Sequence, residues 1–328
     1  MRKTVAVILA IVLLLGPLPG SSAAAWEADR EDEKARTALT DSIARLLALN
    51  SFHMDADLTI NASVRLRASG QGMGLPLSMN VNLNGAMDRQ QTPMCLRVEG
   101  EAAVSSLVVN EKRKALAFAE QQGEALIAYA SLDEGVTWKA IRSDNPQVNP
   151  DEMLPSVVAF AKDCRATMTV MLDGRETMMY ALTLDGRALG QVLVALASDA
   201  AFFGLLAPED LAAAAELEDM DAKVYIDAET MLPCKITVDV TALMDTVSGP
   251  LVRAVLEQRN AEGMEVDVRV REAVLSCTFS QYDAVAPFEI PAEARSAAGE
   301  PVTPPSPAPE PGELQIEDTG IERDPADS

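Results

Sequence analysis

Histidine is nearly missing from this sequence, and His53 is the only one. That scarcity removes much of enzyme chemistry, because His-based triads need an imidazole beside a nucleophile and His-cluster metal sites need several. No G-x-S-x-G, S-x-x-K, H-E-x-x-H or phosphate-cradling Gly-rich signature is present either. The four cysteines contain no C-x-x-C spacing, which argues against a redox or zinc site. Aromatic residues make up only 4%, so aliphatics and 15 methionines must fill any core. Positive charge is also short: 27 Lys and Arg stand against 50 Asp and Glu, a net charge of -23. Such a surface argues against nucleic acid and anionic membranes as electrostatic partners and favours solubility. The acid pairs Asp55 with Asp57 and Asp219 with Asp221 have the residue type a glycosidase uses, but among 50 acids they read as solvated surface. No catalytic residue, metal or cofactor is therefore expected, and the protein is not expected to be an enzyme.

What the chain does have is one long alternation. In FHMDADLTINASVRLR, Phe52–Arg67, the even positions Phe52, Met54, Ala56, Leu58, Ile60, Ala62, Val64 and Leu66 are apolar. The odd positions, from His53 to Arg67, are polar. Side chains of a strand alternate between faces, so this reads as one strand with a wet and a dry side, roughly 50 Å long at about 3.3 Å per residue. His53 falls on the wet side as a solvated side chain. After a Gly-rich reversal, ASGQGMG at 68–74, the phase is opposite: Leu75, Leu77, Met79, Val81, Leu83 and Met87 are apolar. Together the two runs predict a hairpin with one buried face.

Ahead of this hairpin, Arg2 and Lys3 precede an apolar run from Val5 to Leu15, then Gly16-Pro17-Leu18-Pro19-Gly20 and an A-x-A site at Ala23-Ala24-Ala25. This is the pattern of an export signal over residues 1–25, with cleavage before Trp26. The alternative is an uncleaved signal acting as an anchor, for which the apolar run is short. No Cys near the site supports lipid attachment. The expected location is secreted or extracytoplasmic, in an oxidising cell-envelope compartment where cysteines can pair. Asn61-Ala62-Ser63 spells a glycosylation sequon that matters only in a eukaryotic pathway. From Glu27 to Asn50, Ala35, Ala38, Leu39, Ile43, Leu46 and Leu47 recur at helical spacing behind the acidic Glu31, Asp32 and Glu33, predicting an amphipathic helix.

Shorter strands are expected at Met94–Glu99, Val104–Val109, Ala115–Ala119, Ala125–Ala130 and Val136–Ile141, continuing an antiparallel meander. A short helix is expected over Pro150–Lys162. Alternation returns in Ala166, Met168, Val170 and Leu172, and in Met178, Tyr180, Leu182 and Leu184, around a turn at Gly174. Helical or loop-like stretches follow at Gly186–Ala197 and Pro208–Ala215. A late strand alternates through Cys234, Ile236, Val238, Val240 and Ala242. Another begins at Met264 and changes phase between Val270 and Leu275, which predicts a β-bulge at Arg271–Ala273. Residues 296–328 are Pro-rich and acidic and read as a disordered tail, leaving 26–295 as the folded domain.

If the two late strands pair antiparallel about residue 254, Cys234 and Cys277 stand nearly opposite, and a disulfide between them is the working hypothesis, with Cys95–Cys164 as the remainder. Four cysteines allow three connectivities, and spacing alone does not choose among them. Methionines in or beside strands suit a surface that adapts to varied apolar shapes, and they also suit ordinary core filling.

Three local stretches carry a family resemblance. They are YASLDEGVTWK (Tyr129–Lys139), YIDAETMLPCK (Tyr225–Lys235) and FSQYDAVAPFEIP (Phe279–Pro291). Together with the export signal, the helix and the long strands, they make the chain resemble LolA-like proteins. That group includes the bacterial lipoprotein carriers, the mycobacterial lipid-carrying lipoproteins and an uncharacterised set of Gram-positive exported proteins. Unlike the acylated members, this sequence has no cysteine at the expected mature N-terminus. The resemblance implies an α+β fold whose long antiparallel sheet curves as an unclosed half-barrel around helices, leaving a hydrophobic cavity. It implies an extracytoplasmic, non-enzymatic carrier for a lipid, a lipoprotein acyl chain or another apolar ligand. The lining residues expected on this basis are Phe52, Met54, Leu58, Ile60, Leu77, Met79, Val81, Met168 and Met178. The alternative is a cell-envelope structural or protein-interaction module whose core is filled by its own side chains.

Overall fold

A computed structural model describes residues 30–68, 71–88, 95–106, 110–122, 125–131, 133–143, 160–191, 216–258 and 265–297. The expected signal (1–25), most of the expected helix at 150–162, the stretches 192–197 and 208–215, and nearly all of the expected tail lie outside them. Helix α1 (Arg30–Leu47) leads into β1 (Ser51–Ala68), β2 (Gln71–Asp88), β3 (Cys95–Ser106), β4 (Asn110–Gln122), β5 (Ala125–Ser131) and β6 (Lys139–Ser143). Then come β7 (Ala161–Leu172), β8 (Arg175–Leu184), β9 (Met220–Asp227), β10 (Pro233–Asp239), helix α2 (Thr241–Gln258), β11 (Glu265–Ser280) and helix α3 (Ala292–Ala297). All the described strands join one 11-stranded sheet in the order β6-β5-β4-β3-β2-β1-β11-β10-β9-β8-β7. Every pairing is antiparallel, and β6 and β7 end the sheet without meeting. The expected fold class, α+β on a long unclosed antiparallel sheet, is the one observed.

The opening alternation forms the central strand. β1 runs 18 residues, and its register with β2 is unbroken from Ser51 opposite Asp88 to Ala68 opposite Gln71. Phe52, Ala56, Leu58, Ile60 and Ala62 are buried on one face, while Asp57, Thr59 and Arg65 are exposed on the other. Burying a side chain such as Leu58 contributes about 1.5–3 kcal/mol, and a one-residue slip would turn the whole row to solvent, so the pattern fixes the register. The bulge is also present. Asn61 stands opposite Glu272 and Ala62 opposite Val270, which leaves Arg271 as the extra residue. It restores the apolar phase on both sides, so that Val268 and Leu275 are both buried. Asp173 and Gly174 take positive φ values of 49° and 79°, as a two-residue primed hairpin turn between β7 and β8 requires.

Several expectations change. The two strands read on either side of Gly100 are one strand, β3, because Gly100 keeps its place opposite Leu83 in an unbroken register. The late strand ends at Asp239 rather than continuing through Ala242. The Asp239 carboxylate accepts the Thr241 N–H at 3.0 Å, and the Met244 N–H donates to the Val240 carbonyl at 2.9 Å, so the chain turns into α2. Lys162, read as the end of a helix, lies in β7. Residues 186–191 are helical as expected, and α3 runs two residues past the expected domain end at 295.

The disulfide hypothesis is overturned: Cys234 and Cys277 are both buried free thiols. Cys277 stands opposite Ile236, two positions along β10 from Cys234. A diagonal of that kind separates Cβ atoms by roughly 7–8 Å, whereas a disulfide needs about 3.5–4.5 Å. The alternative pair fares no better, since Cys95 on β3 and Cys164 on β7 belong to different apolar clusters.

Candidate functional site

The sheet has an inner face, toward which Phe52 and Leu58 point, and an outer face carrying His53 and Asp57. Helix α1 packs on the inner side of β7 and β10, and α2 packs on β11. Leu39 and Leu46 of α1, Leu243 and Met244 of α2, and inner residues of β1, β2 and β7–β11 form one apolar cluster. Toward β1–β3 the same face changes character. Met54, Val64, Leu77, Met79, Leu96 and Val98 pack against the cluster but are only half-buried. Register makes these residues contiguous: Met79 lies opposite Ile60 on one side and Val104 on the other, and Val98 lies opposite Gly85, which itself faces Met54. Farther along, the inner positions of β4 and β5 are small, with Ala117 opposite Ala130 and Ala119 opposite Ala128.

Among the expected lining residues, Phe52, Leu58, Ile60 and Val81 are buried in this cluster, and Met54, Leu77, Met79 and Met178 are half-buried against it. Met168 is the correction, being 56% exposed. Its strand is bulged: Ala166 pairs with Tyr180, but Met168 pairs with Met179. The extra residue, Thr167, turns Met168 to the face opposite Tyr180. Sequence reading missed Leu96 and Val98, although the run Leu96, Val98, Ala102 and Val104 was visible had Gly100 been read through.

The inner face is chemically quiet. Cys277, opposite Ala56, has its thiol pushed up to about 12 by burial, and burial likewise raises Cys164 to about 11. Neither is a nucleophile at neutral pH. Ser42 of α1 is buried, and its hydroxyl has no hydrogen-bond partner among the described residues. Among the described residues no group of His, Cys, Asp and Glu is arranged to hold a metal ion.

The outer face is polar at its centre. Asn84 donates to Asp55 at 2.9 Å, Asn82 donates to Asp57, and Asn61 donates to Glu272 at 3.1 Å. His53 is tucked among them, with Nε2 3.2 Å from Asp55 Oδ1 and 3.0 Å from Asn84 Nδ2. Over β2–β6 the outer face holds a second apolar cluster that the sequence reading did not anticipate. Ala86, Phe118, Ile127 and Tyr129 are covered there by Phe288, Ile290 and Ala294 from the segment after β11. Arg295 of that segment bonds Glu120 at 3.0 Å, and the Tyr129 hydroxyl donates to the same carboxylate at 2.7 Å. Burial and this carboxylate push the Tyr129 phenol up. The alternation of Ala with Phe118 and Tyr129 was the available signal for a sheet buried on both sides.

No protein-family model and no curated protein matches the sequence. Among solved structures the chain is similar to LprF from Mycobacterium bovis, at 14% identity over 80% of this chain and 98% of that one, with a TM-score of 0.40. It is also similar to the Mycobacterium tuberculosis lipoprotein LppX, at 11% identity over 79% and 100%, with a TM-score of 0.34. A DUF1329 family protein from Desulfovibrio piger aligns at 9% identity over 79% and 96%, with a TM-score of 0.24. The architecture itself is a long, unclosed antiparallel sheet with helices on its apolar face.

Proposed function

We propose that the protein is a non-enzymatic binding protein that holds a lipid, a lipoprotein acyl chain or another apolar molecule against the inner face of its sheet, outside the cytoplasmic membrane. The observation that carries this reading is the apolar strip of β1–β3, where Met54, Leu77, Met79 and Val98 extend the core and are only half-buried. Each methylene removed from water contributes about 0.8 kcal/mol, so ten of them supply on the order of 8 kcal/mol before the costs of association. Flexible methionines accommodate chains of different shape. Residues 1–25 would direct export, and the acidic tail would remain outside the folded domain.

A second reading has its own support. Phe52, Leu58, Ile60 and Val81 are already buried by the chain itself, as in a cell-envelope interaction module with a filled core. Two measurements separate the readings. Solvent extraction of the purified chain from Trp26 onward, followed by mass spectrometry, should release lipid. Titration with a fluorescent fatty acid should saturate, and Met79→Asp should weaken it about tenfold, the worth of roughly 1.4 kcal/mol. Absence of both co-purifying lipid and saturable binding establishes the filled-core module instead.

A further inference from the structure

The sheet has two ends of unequal character. β6 is five residues long, whereas β7 has twelve, and no described strand pairs with the outer side of either. The first part of β7 is secured: Ala161 and Cys164 are buried, and Lys162 bonds Asp219 at 2.7 Å. Beyond that point the strand stands clear, and Arg165 through Thr169 are all exposed. The stretch ATMTVML at 166–172 carries no charge and no proline, although natural edge strands usually rely on such devices to prevent pairing. Past the bulge at Thr167, Met168–Leu172 pairs regularly with β8, so its outward N–H and C=O groups also repeat regularly. Met168 and Met171, 56% and 69% exposed, point to opposite faces and flank the edge from both sides.

We propose that this edge of β7 receives an extended polypeptide segment of alternating apolar and basic residues, added as a further strand. A row of alternating backbone donors and acceptors is complementary to another backbone, not to an acyl chain. The flanking methionines adapt to apolar side chains on either face of the added strand. Charge sets the sign of the partner. Asp163 and Arg165 pair at 2.9 Å, which leaves Asp173, Glu176 and Glu229 against Arg175 around the hairpin end. Glu229 belongs there because the adjoining Ala228 N–H donates to the Glu176 carbonyl at 2.9 Å. With a net charge of -23, a second copy of this chain is repelled and a basic segment is attracted. The proposal does not depend on what the inner face binds.

The test uses the full mature chain and two synthetic decapeptides, one alternating Val with Lys and one alternating Val with Glu. Hydrogen exchange read by mass spectrometry should show slowing confined to residues 165–172 with the Val–Lys peptide and none with the Val–Glu peptide. Added salt should weaken the effect. The double variant Met168→Lys/Met171→Lys should lower affinity at least tenfold while leaving the melting temperature unchanged, since both side chains are exposed. Several outcomes overturn the proposal: no slowing at saturating peptide, slowing elsewhere in the sheet, equal effects of the two peptides, or undiminished affinity in the double variant. A concentration-dependent dimer that protects residues 165–172 without peptide also overturns it, by making a second copy the occupant.

Discussion

Asp133 organises the β5–β6 connection with a single carboxylate. Its Oδ1 accepts from the Ser131 hydroxyl and the Thr137 N–H, both at 2.8 Å, and its Oδ2 accepts from the Thr137 hydroxyl at 2.6 Å. These bonds, chiefly those from Thr137, hold the acid at about 2 against an ordinary 3.8. A folded-state value below the unfolded one means that the stabilisation is complete above the ordinary value and is lost as pH falls toward about 2. A carbon-13 titration of the Asp133 carboxyl should therefore give a midpoint near 2, and Thr137→Val should move it toward 3.8. A midpoint already near 3.8 would mean that the loop bonds do not form in solution. Trp138 sits on the same loop, its Nε1–H donating to the Gly135 carbonyl at 2.9 Å, so its fluorescence should follow the same transition.

Elements were legible wherever alternation was long. β1, β2, β8 and β11 could be read from their side chains, and so could the extra residue at Arg271, because a phase change has one simple backbone cause. Deleting Arg271 should join the two halves of β11 into one regular strand, because Val270 and Glu272 already stand opposite the consecutive residues Ala62 and Asn61, and Val268 and Leu275 should both stay buried. Such a deletion should keep the cooperative thermal transition seen by circular dichroism, and Arg271→Ala, an exposed change, should stay within about 0.5 kcal/mol of the parent. A deletion variant that loses the cooperative transition would show that Arg271 is not simply an extra residue in the ladder. Helix α2 was not legible, for a local reason. Val240 and Ala242 continue the strand phase of Cys234–Val238, and the helix contains Gly249 and Pro250, both poor helix formers. Missing it left the β10–β11 connection without a known length, and a register centred on residue 254 is five residues away from the observed one, in which Cys277 faces Ile236. Met168 was misplaced by the same kind of event, a bulge at Thr167 in a strand too exposed to display its phase.

Viewed as a whole, the molecule is a sheet buried on both sides at different places. The inner cluster could be read from alternation along β1 and β2. The outer one could not, because its cover comes from a short segment near the C-terminus whose partners are distant in sequence. Arg295 and Glu120 join across 175 residues. Glu120 is only 2% exposed, so removing Arg295 takes a cation away from a buried carboxylate that also accepts from Tyr129. Arg295→Met should cost about 1–3 kcal/mol in urea unfolding and speed hydrogen exchange in residues 288–297. Adding Glu120→Gln should recover part of that loss, because a buried charge that has lost one cation is then removed. If neither change moves the midpoint, the half-exposed Arg295 contributes no more than an ordinary surface ion pair.

The place of β1 has a consequence for how the molecule comes into being. First of the described strands in sequence, it is sixth of the eleven across the sheet, and its second neighbour is the last of them. The bond from Asn61 to Glu272 closes a separation of 211 residues. A growing or refolding chain can zip β1 through β6 as successive hairpins, each closing a short loop at modest entropic cost. The opposite edge of β1, eighteen residues long and backed by Phe52, Leu58 and Ile60, then stays open until the final strand arrives. Assembly of this kind is slow and exposes a sticky edge while it waits. A premature stop before β11 would not trim the sheet at its margin; it would divide it through the middle.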